Sequence, residues 1–273
     1  MSVEQPAEQP VEQPVEQPKV SIILMVYNGR TQLFKRVVQS VMSQTYKNWE
    51  LVIQDDCSTD GTLEMAIGFS LKDKRIRLFR NKTNLGIVKN RAAAFRNTTG
   101  DLICHLDSDD FIYEFALEVM VSAFRASPHV GLAYSDMAYV DEAGEPTSYM
   151  VNTGPVDDDF YGRGWRHFGM YKRSAYDKTN GYNEELVNPC EDGDLLAQIA
   201  EKSPVMRVPR VLYAYRNAGD HESSKKEPCH ECASRTKCNF IRVWSSKLNP
   251  PLDVVTWKHI KVQEAPTLTN VKA

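Results

Sequence analysis

Apolar residues from Val20 onward follow two alternating patterns. Residues 20–26, 49–54 and 101–106 are almost continuously apolar, as strands buried on both faces of a sheet require, and 75–79 is a shorter run of the same kind. Between these runs, apolar residues recur at helical spacing. Strands therefore start about every 25–30 residues with helices between them, which predicts a doubly wound, mostly parallel α/β sheet flanked by helices.

The second half of the chain is less regular. Residues 115–124 predict an amphipathic helix, and 130–140 predict a strand that residues 142–145 turn into a hairpin. Residues 191–200 predict another helix, and 205–216 predict one or two strands. We therefore expect a large α/β region followed by a small, irregular C-terminal segment.

Residues 3–18 differ in composition from the rest of the chain, since they contain four copies of a proline-containing four-residue unit. It holds too little apolar mass to offset its ordering entropy, so we expect a disordered tail that favours the polyproline II conformation. The alternative is a peptide ligand for an aromatic groove of a partner.

Composition and charge exclude some classes of protein. The 273 residues carry a formal net charge of −3, which disfavours a general nucleic-acid binder. No apolar run approaches the ~18 residues of a transmembrane helix, and the N-terminus does not resemble a secretory signal. The scattered cysteines are a poor disulfide framework, so we expect a cytoplasmic protein, either free or peripheral to a membrane; the oligomeric state is left open.

Acidic and aromatic residues follow three of the predicted strands. Because parallel strands end at the same edge of a sheet, where ligands bind, we expect these residues to share one rim. A single acidic turn is usually a helix cap or Asx-turn, but two acidic turns and an aromatic residue on one rim are harder to explain in that way. The residues are Tyr27, Asn28, Asp55, Asp56, Asp107, Ser108, Asp109 and Asp110.

Five stretches, in order, carry a resemblance to a known family. They are VSIILMVYNG, LVIQDDCSTDGT, NLGIVKNRAAAFRNTTGDLICHLDSDD, FGMYKRSAYDKTNGYNEEL and CEDGDLL. Together, over residues 19–218, they resemble the inverting family 2 glycosyltransferases with a GT-A fold. Cys57 departs from the family's pattern, which often has glycine there.

The resemblance implies a donor site for a nucleotide sugar, with UDP favoured, and a Mn²⁺ or Mg²⁺ ion that neutralises the departing diphosphate. Asp109 would bind the metal directly, and Asp107 would lie nearer the ribose and a metal-bound water, with Asp110 capping the next helix or orienting Asp109. His221 is a further candidate metal ligand. The implied nucleotide-binding residues are Tyr27, Asn28, Asp55, Asp56, Arg91, Asp107 and Ser108. For Arg91, a solvated surface charge is the alternative.

An inverting transfer needs a general base on the acceptor hydroxyl, whose carrier is left open as a glycan or other compound. By resemblance Asp192 is that base, with Glu191 assisting on the acceptor side; helix-dipole stabilisation of these carboxylates is the alternative. Trp165 and His167 are candidates for lining the acceptor side, or for packing alone.

A cysteine cluster lies near the C-terminus, at Cys229, Cys232 and Cys238 with His230 beside them. Clustered thiolates and a histidine are ligands that a structural Zn²⁺ ion prefers. Free thiols and a disulfide remain alternatives.

The division of the chain follows from these features. We expect a tail over 1–18, a GT-A domain over 19–222 and an extension over 223–273; within the domain, 19–110 is the nucleotide-binding half and 111–222 the acceptor half. The function predicted is metal-dependent inverting sugar transfer. The alternatives are a nucleotidyltransferase, a metal-dependent phosphohydrolase, and a non-catalytic module that binds sugar nucleotides.

Overall fold

The computed structural model describes residues 17–29, 31–150, 168–185 and 191–216. Their strands are β1 (Val20–Val26), β2 (Trp49–Asp55), β3 (Ile76–Arg80), β4 (Leu102–Leu106), β5 (Phe111–Ile112), β6 (Leu132–Val140), β7 (Pro146–Met150), β8 (Gly169–Lys172) and β9 (Val205–Arg216). Their helices are α1 (Thr31–Met42), α2 (Thr62–Lys72), α3 (Ile87–Arg96), α4 (Ala116–Ala126), α5 (Arg173–Tyr176) and α6 (Glu191–Lys202). None of these helices is long and apolar enough to cross a bilayer.

The strands form one mixed sheet in the order β3-β2-β1-β4-β8-β6-β9-β5, with β7 paired to β6. Strands β1 to β4 are mutually parallel where they pair, β8 is antiparallel to both β4 and β6, and β9 runs parallel to β6. The sequence prediction of a mostly parallel α/β sheet flanked by helices is confirmed.

Both faces of the sheet are covered, which explains the continuous apolar runs. On one face, alternate strand residues such as Ile22 and Leu24 pack with Phe34 of α1 and with α4. On the other face, Ile23 and Ile103 pack with residues of α3 and α6. Because a strand's side chains point alternately to the two faces, each of these strands needs apolar residues at nearly every position.

The predicted strands and helices are present, with bounds shifted by one or two residues. The hairpin is confirmed: β7 returns antiparallel to β6 after a turn in which the amide of Gly144 donates to the carbonyl of Asp141. Residues 205–216 form one strand, β9, whose register against β6 skips from Val208 to Val211. The skip removes Pro209, which has no N–H, from the ladder.

Three short elements were missed by the sequence patterns, namely β5, β8 and α5. The four-residue β8 is too short to show a period, and it is held by pairing with β4 and β6 on its two sides. The domain boundaries stay predictions, since residues 1–16 and 217–273 lie outside the described part of the chain.

Candidate active site

The three predicted turns lie side by side at the carboxyl edge of the sheet. Strand β1 lies between β2 and β4, with Val26 opposite Asp55 and Leu24 opposite Leu106. The loops after β1, β2 and β4 therefore leave the sheet together, as the sequence predicted.

The loop after β1 is joined to the loop after β2. The backbone amide of Asn28 donates to the Ser58 hydroxyl over 2.9 Å, and the Asn28 side-chain oxygen accepts from the amide of Thr59 over 2.8 Å. Asn28 has a positive φ of 48°, an uncommon conformation outside glycine. Tyr27 beside it is 51% exposed, so its ring presents a free face at the rim.

Asp55 and Asp56 are buried and organise the surrounding loops. Asp55 accepts from the amide of Ser58 and pairs with Arg80, with Nε and Oδ2 3.3 Å apart. Asp56 accepts from the amides of Leu85 and Gly86, over 2.8 and 2.9 Å, at the start of α3. Both carboxylates therefore have a structural role in these loops, and their predicted contact with the nucleotide base stays a prediction.

Cys57 follows these two carboxylates and has a φ of 68°, in the left-handed region. A side chain there strains the backbone, whereas glycine adopts the conformation freely. The left-handed backbone is therefore the physical reason why glycine suits this position.

The acidic turn after β4 contains two kinds of carboxylate. Asp107 and Asp109 are partly exposed, with side chains 38% and 27% accessible. Asp110 is buried, and accepts from the Tyr213 hydroxyl over 2.6 Å and from the backbone amide of Arg216 over 2.8 Å. Asp110 therefore joins the turn to β9, and the idea that it caps the next helix is wrong, because α4 begins only at Ala116.

The carboxylates of this turn have different electrostatic surroundings. Burial, together with the charges of Asp107 and Asp109, raises the pKa of Asp110 well above its usual value. Asp109 pairs with the buried Arg216, with Nη2 and Oδ2 2.9 Å apart. The turn is thus a concentration of negative charge next to fixed arginines, which suits a ligand that brings a cation and phosphates.

Arg91 lies on α3 and is 4% exposed, so the alternative of a solvated surface charge is wrong. Its Nη2 lies 3.9 Å from Oδ1 of Asp107, and its Nη1 lies 3.3 Å from Nδ1 of His105 on β4. Burial, and then the Arg91 charge, hold the pKa of His105 well below its usual value, so the ring is neutral. Sequence reasoning missed His105; its only signal was a histidine inside an apolar strand.

The structure describes the remaining predicted residues only in part or not at all. Ser108 is partly buried in the acidic turn, and the backbone of Glu191 and Asp192 begins α6, while the side chains of these two lie outside the described part. In the ranges that the structure describes, no three His, Cys, Asp or Glu side chains form a metal-binding group. Also outside the described residues are Trp165, His167, His221, Cys229, His230, Cys232 and Cys238.

Comparison with known proteins defines the class. Residues 21–180 match Glycosyl transferase family 2. The chain is 32% identical to EpsE of Bacillus subtilis, a putative glycosyltransferase, over 207 residues, which is 74% of each protein. It is 30% identical to the chondroitin synthase of Escherichia coli over 209 residues, 76% of this chain but 30% of the synthase.

Solved structures agree on the fold. Staphylococcus aureus TarS 1–349 in complex with UDP-GlcNAc superposes with a TM-score of 0.66 at 21% identity, covering 82% of this chain and 66% of TarS. Mannosyltransferase PcManGT of Pyrobaculum calidifontis, in complex with GDP-Man and Mn²⁺, gives 0.55 at 15% identity, covering 86% and 65%.

The chain belongs to glycosyl transferase family 2, a family of inverting hexosyltransferases. Its predicted class is therefore confirmed: it is an enzyme that transfers a sugar from a nucleotide-sugar donor.

Proposed function

We propose that this protein transfers a hexose from a UDP-sugar to an acceptor hydroxyl with inversion. Asp109 and Asp107 hold a Mn²⁺ or Mg²⁺ ion, and Asp192 is the general base. The observation that carries the proposal is the partly exposed pair Asp107 and Asp109 at the carboxyl edge of the sheet, beside the loops after β1 and β2. In open α/β sheets this edge is where ligands bind.

The two carboxylates fit a hard divalent cation. Both belong to one turn, and both are accessible, whereas Asp110 is buried and already accepts two hydrogen bonds. Such cations bind one or two protein carboxylates and take their remaining ligands from phosphates and water. When bound, the cation would offset the charge that builds up on the departing diphosphate.

Support for a uridine donor comes from two sources. Among the structural neighbours, TarS holds UDP-GlcNAc, whereas PcManGT holds GDP-Man with Mn²⁺, so both bind nucleotide sugars and one of them binds a uridine donor. In this chain the exposed Tyr27 offers a stacking face, and the buried carboxylates of Asp55 and Asp56 lie at the end of the neighbouring strand β2. A carboxylate accepts from the imide N–H of uracil, which favours UDP.

The proposed base, Asp192, is the second residue of α6, and a carboxylate near the start of a helix is favoured by the helix dipole. It would take the proton of the acceptor hydroxyl as that oxygen attacks the anomeric carbon and the nucleoside diphosphate leaves. Glu191 would assist by orienting the acceptor.

The direct test is ligand binding followed by turnover. Thermal melts of the full chain would be recorded with UDP, GDP and ADP, each with Mn²⁺, Mg²⁺ or chelator, since a ligand selective for the folded state raises the melting temperature. We expect stabilisation by UDP with metal and little with chelator. Stabilisation by GDP instead would overturn the uridine assignment, and no response to any nucleotide would overturn the donor site.

Turnover tests the base. With UDP-glucose, UDP-galactose and their N-acetyl forms as donors and a panel of saccharide acceptors, Asp192→Asn should lower kcat by about 100- to 10,000-fold while leaving UDP binding intact. Asp177→Asn, which changes an exposed carboxylate just after α5, is the matched control. Equal kcat in the two variants would remove Asp192 from the mechanism.

A further inference from the structure

His105 lies at an unusual place for a polar ring. It is the fourth residue of the five-residue strand β4 and stands two positions before Asp107. Alternation along the strand puts its side chain on the same face as Ile103, toward α3. The half-buried ring thus lies against the layer that carries Arg91, directly below the acidic turn.

The ring's partners define its tautomer. The guanidinium of Arg91 can only donate, so Nδ1 of His105, 3.3 Å from Nη1, is the acceptor and carries no proton. The proton of the neutral ring is then on Nε2, which donates toward the Tyr182 hydroxyl at 2.8 Å, with the Tyr171 hydroxyl at 3.3 Å. The two hydroxyls are themselves 3.2 Å apart.

This arrangement connects two parts of the site. Arg91 approaches His105 through Nη1 and Asp107 through Nη2, so the histidine fixes the direction in which the guanidinium points. Tyr182 belongs to the loop between α5 and α6, the helix that begins with Glu191 and Asp192. The ring therefore lies between the donor-side arginine and the segment that leads to the proposed base.

We propose that His105 is a positioning residue for the donor site: its Nδ1 holds the Arg91 guanidinium against Asp107, and its Nε2 is held in turn by Tyr182 and Tyr171. The inference rests on the proposed function, which puts the donor's cation at Asp107, and on the family resemblance, which implies that Arg91 binds the nucleotide. A bidentate guanidinium is useful only when its plane is fixed, because rotation moves its donors away from a carboxylate or phosphate.

Three substitutions separate this role from simple packing. His105→Asn retains an acceptor near the Nδ1 position, His105→Gln retains a polar group near Nε2 only, and His105→Phe fills the space with no hydrogen bond. The donor dissociation constant would be measured by calorimetry with UDP and Mn²⁺, and KM and kcat with the active UDP-sugar. His129→Gln, at an exposed histidine, is the control.

We expect His105→Phe and His105→Gln to weaken UDP binding and raise the donor KM about tenfold, the scale of one lost hydrogen bond to a charged group. His105→Asn should stay within about threefold of the parent enzyme. Rescue by asparagine but not by phenylalanine is the signature, since a packing role predicts the opposite order.

A more conservative variant is needed if the substitutions at His105 unfold the protein. Tyr182→Phe removes one oxygen atom and leaves the ring in place, and we expect a donor KM about threefold higher with kcat less affected. Unchanged UDP affinity in a folded His105→Phe or Tyr182→Phe would overturn the positioning role while leaving the donor site intact. A parent enzyme that binds no nucleotide would overturn the proposed function itself.

Discussion

Acidic side chains lie at both ends of the same parallel strands, in two different settings. At the amino end, Glu50 of β2 is buried; at the carboxyl end lies the turn from Asp107 to Asp110 after β4. The amino end has one carboxylate among many donors, and the carboxyl end has several carboxylates close together. The pKa of Glu50 is lowered, whereas the pKa of Asp110 is raised.

Glu50 is surrounded by donors from neighbouring segments. It accepts from the Ser21 hydroxyl over 2.6 Å, from the amide and hydroxyl of Thr99, and from the Lys19 and Arg77 cations at 2.9 and 3.1 Å. Burial alone would raise the pKa of Glu50, but hydrogen bonds from Ser21, Lys19 and Thr99 outweigh it and lower the pKa to about 2. This charge stabilises the fold.

At the carboxyl end the balance is reversed. Burial, and then the neighbouring carboxylates of Asp107 and Asp109, raise the pKa of Asp110 well above its usual value. Burial of a carboxylate therefore does not by itself reveal its role. Exposure separates the roles: Glu50 and Asp110 are buried and hydrogen-bonded within the fold, whereas Asp107 and Asp109 are partly exposed, where the proposed cation would bind.

The largest effect is expected from Asp109→Asn. Loss of partners that only orient a metal ligand costs about 10- to 100-fold, so loss of a direct ligand should lower kcat/KM by about 1,000-fold and abolish the metal-dependent response to UDP. Stability should change by less than about 1 kcal/mol, because the asparagine oxygen still accepts from Arg216 and one charge near Asp110 is gone. Calorimetry with UDP and Mn²⁺, and urea unfolding, measure both.

The control for this change is Asp177→Asn, which removes an exposed carboxylate and should leave both quantities unchanged. If Asp109→Asn still binds UDP in a metal-dependent way, Asp109 is not a metal ligand.

The second effect is on stability alone. Glu50→Gln should lower the free energy of unfolding by about 3 kcal/mol, the value that corresponds to the lowered pKa of Glu50. Its amide cannot accept from all of the donors that surround the carboxylate, and UDP binding should be unaffected. Urea unfolding at pH 7 measures the loss, and Glu64→Gln in the first turn of α2 is the control. A loss no larger than the control's would show that Glu50 is not structural.

Acidic pH should reduce the difference in stability between the parent protein and Glu50→Gln. The folded-state pKa of Glu50 is about 2 and its ordinary value is 4.5, so its contribution is complete above pH 4.5 and is lost as the pH falls toward 2. The stability gap between the parent protein and Glu50→Gln should shrink by about 2 kcal/mol between pH 5 and pH 3. Urea unfolding at both pH values tests it, and a constant gap would mean that the charge of Glu50 contributes nothing.

The sequence predicted the parallel half of the sheet well because strands β1, β2 and β4 are buried on both faces and read as continuous apolar runs. It placed the turns at one edge for the same reason. It did not predict that Asp56 is occupied by the amides of Leu85 and Gly86, nor that Arg91 is buried against His105. Both depend on contacts between segments distant in the chain, which no local pattern records.

Backbone strain also distinguishes the two ends of the strands. In the part of the chain that the structure describes, the non-glycine residues with positive φ are Asn28, Cys57 and Phe168. Asn28 and Cys57 follow β1 and β2, and Phe168 precedes β8, which is antiparallel to β4, so all three lie at the carboxyl edge. Strained residues often cluster at functional sites.

Cys57→Gly should relieve part of that strain, with the smallest effect of the set. Glycine removes about 1 kcal/mol of left-handed strain but adds flexibility to the unfolded chain, so we expect a net stabilisation of about 0.5 kcal/mol. Cys57→Ala is the control, because both changes lose the 3.7 Å contact of Sγ with the Lys82 carbonyl and only glycine relieves φ. In urea unfolding, glycine should therefore be more stable than alanine. The opposite order would mean that the loop after β2 holds its conformation without strain, and that the carboxyl edge differs from the amino edge in charge alone.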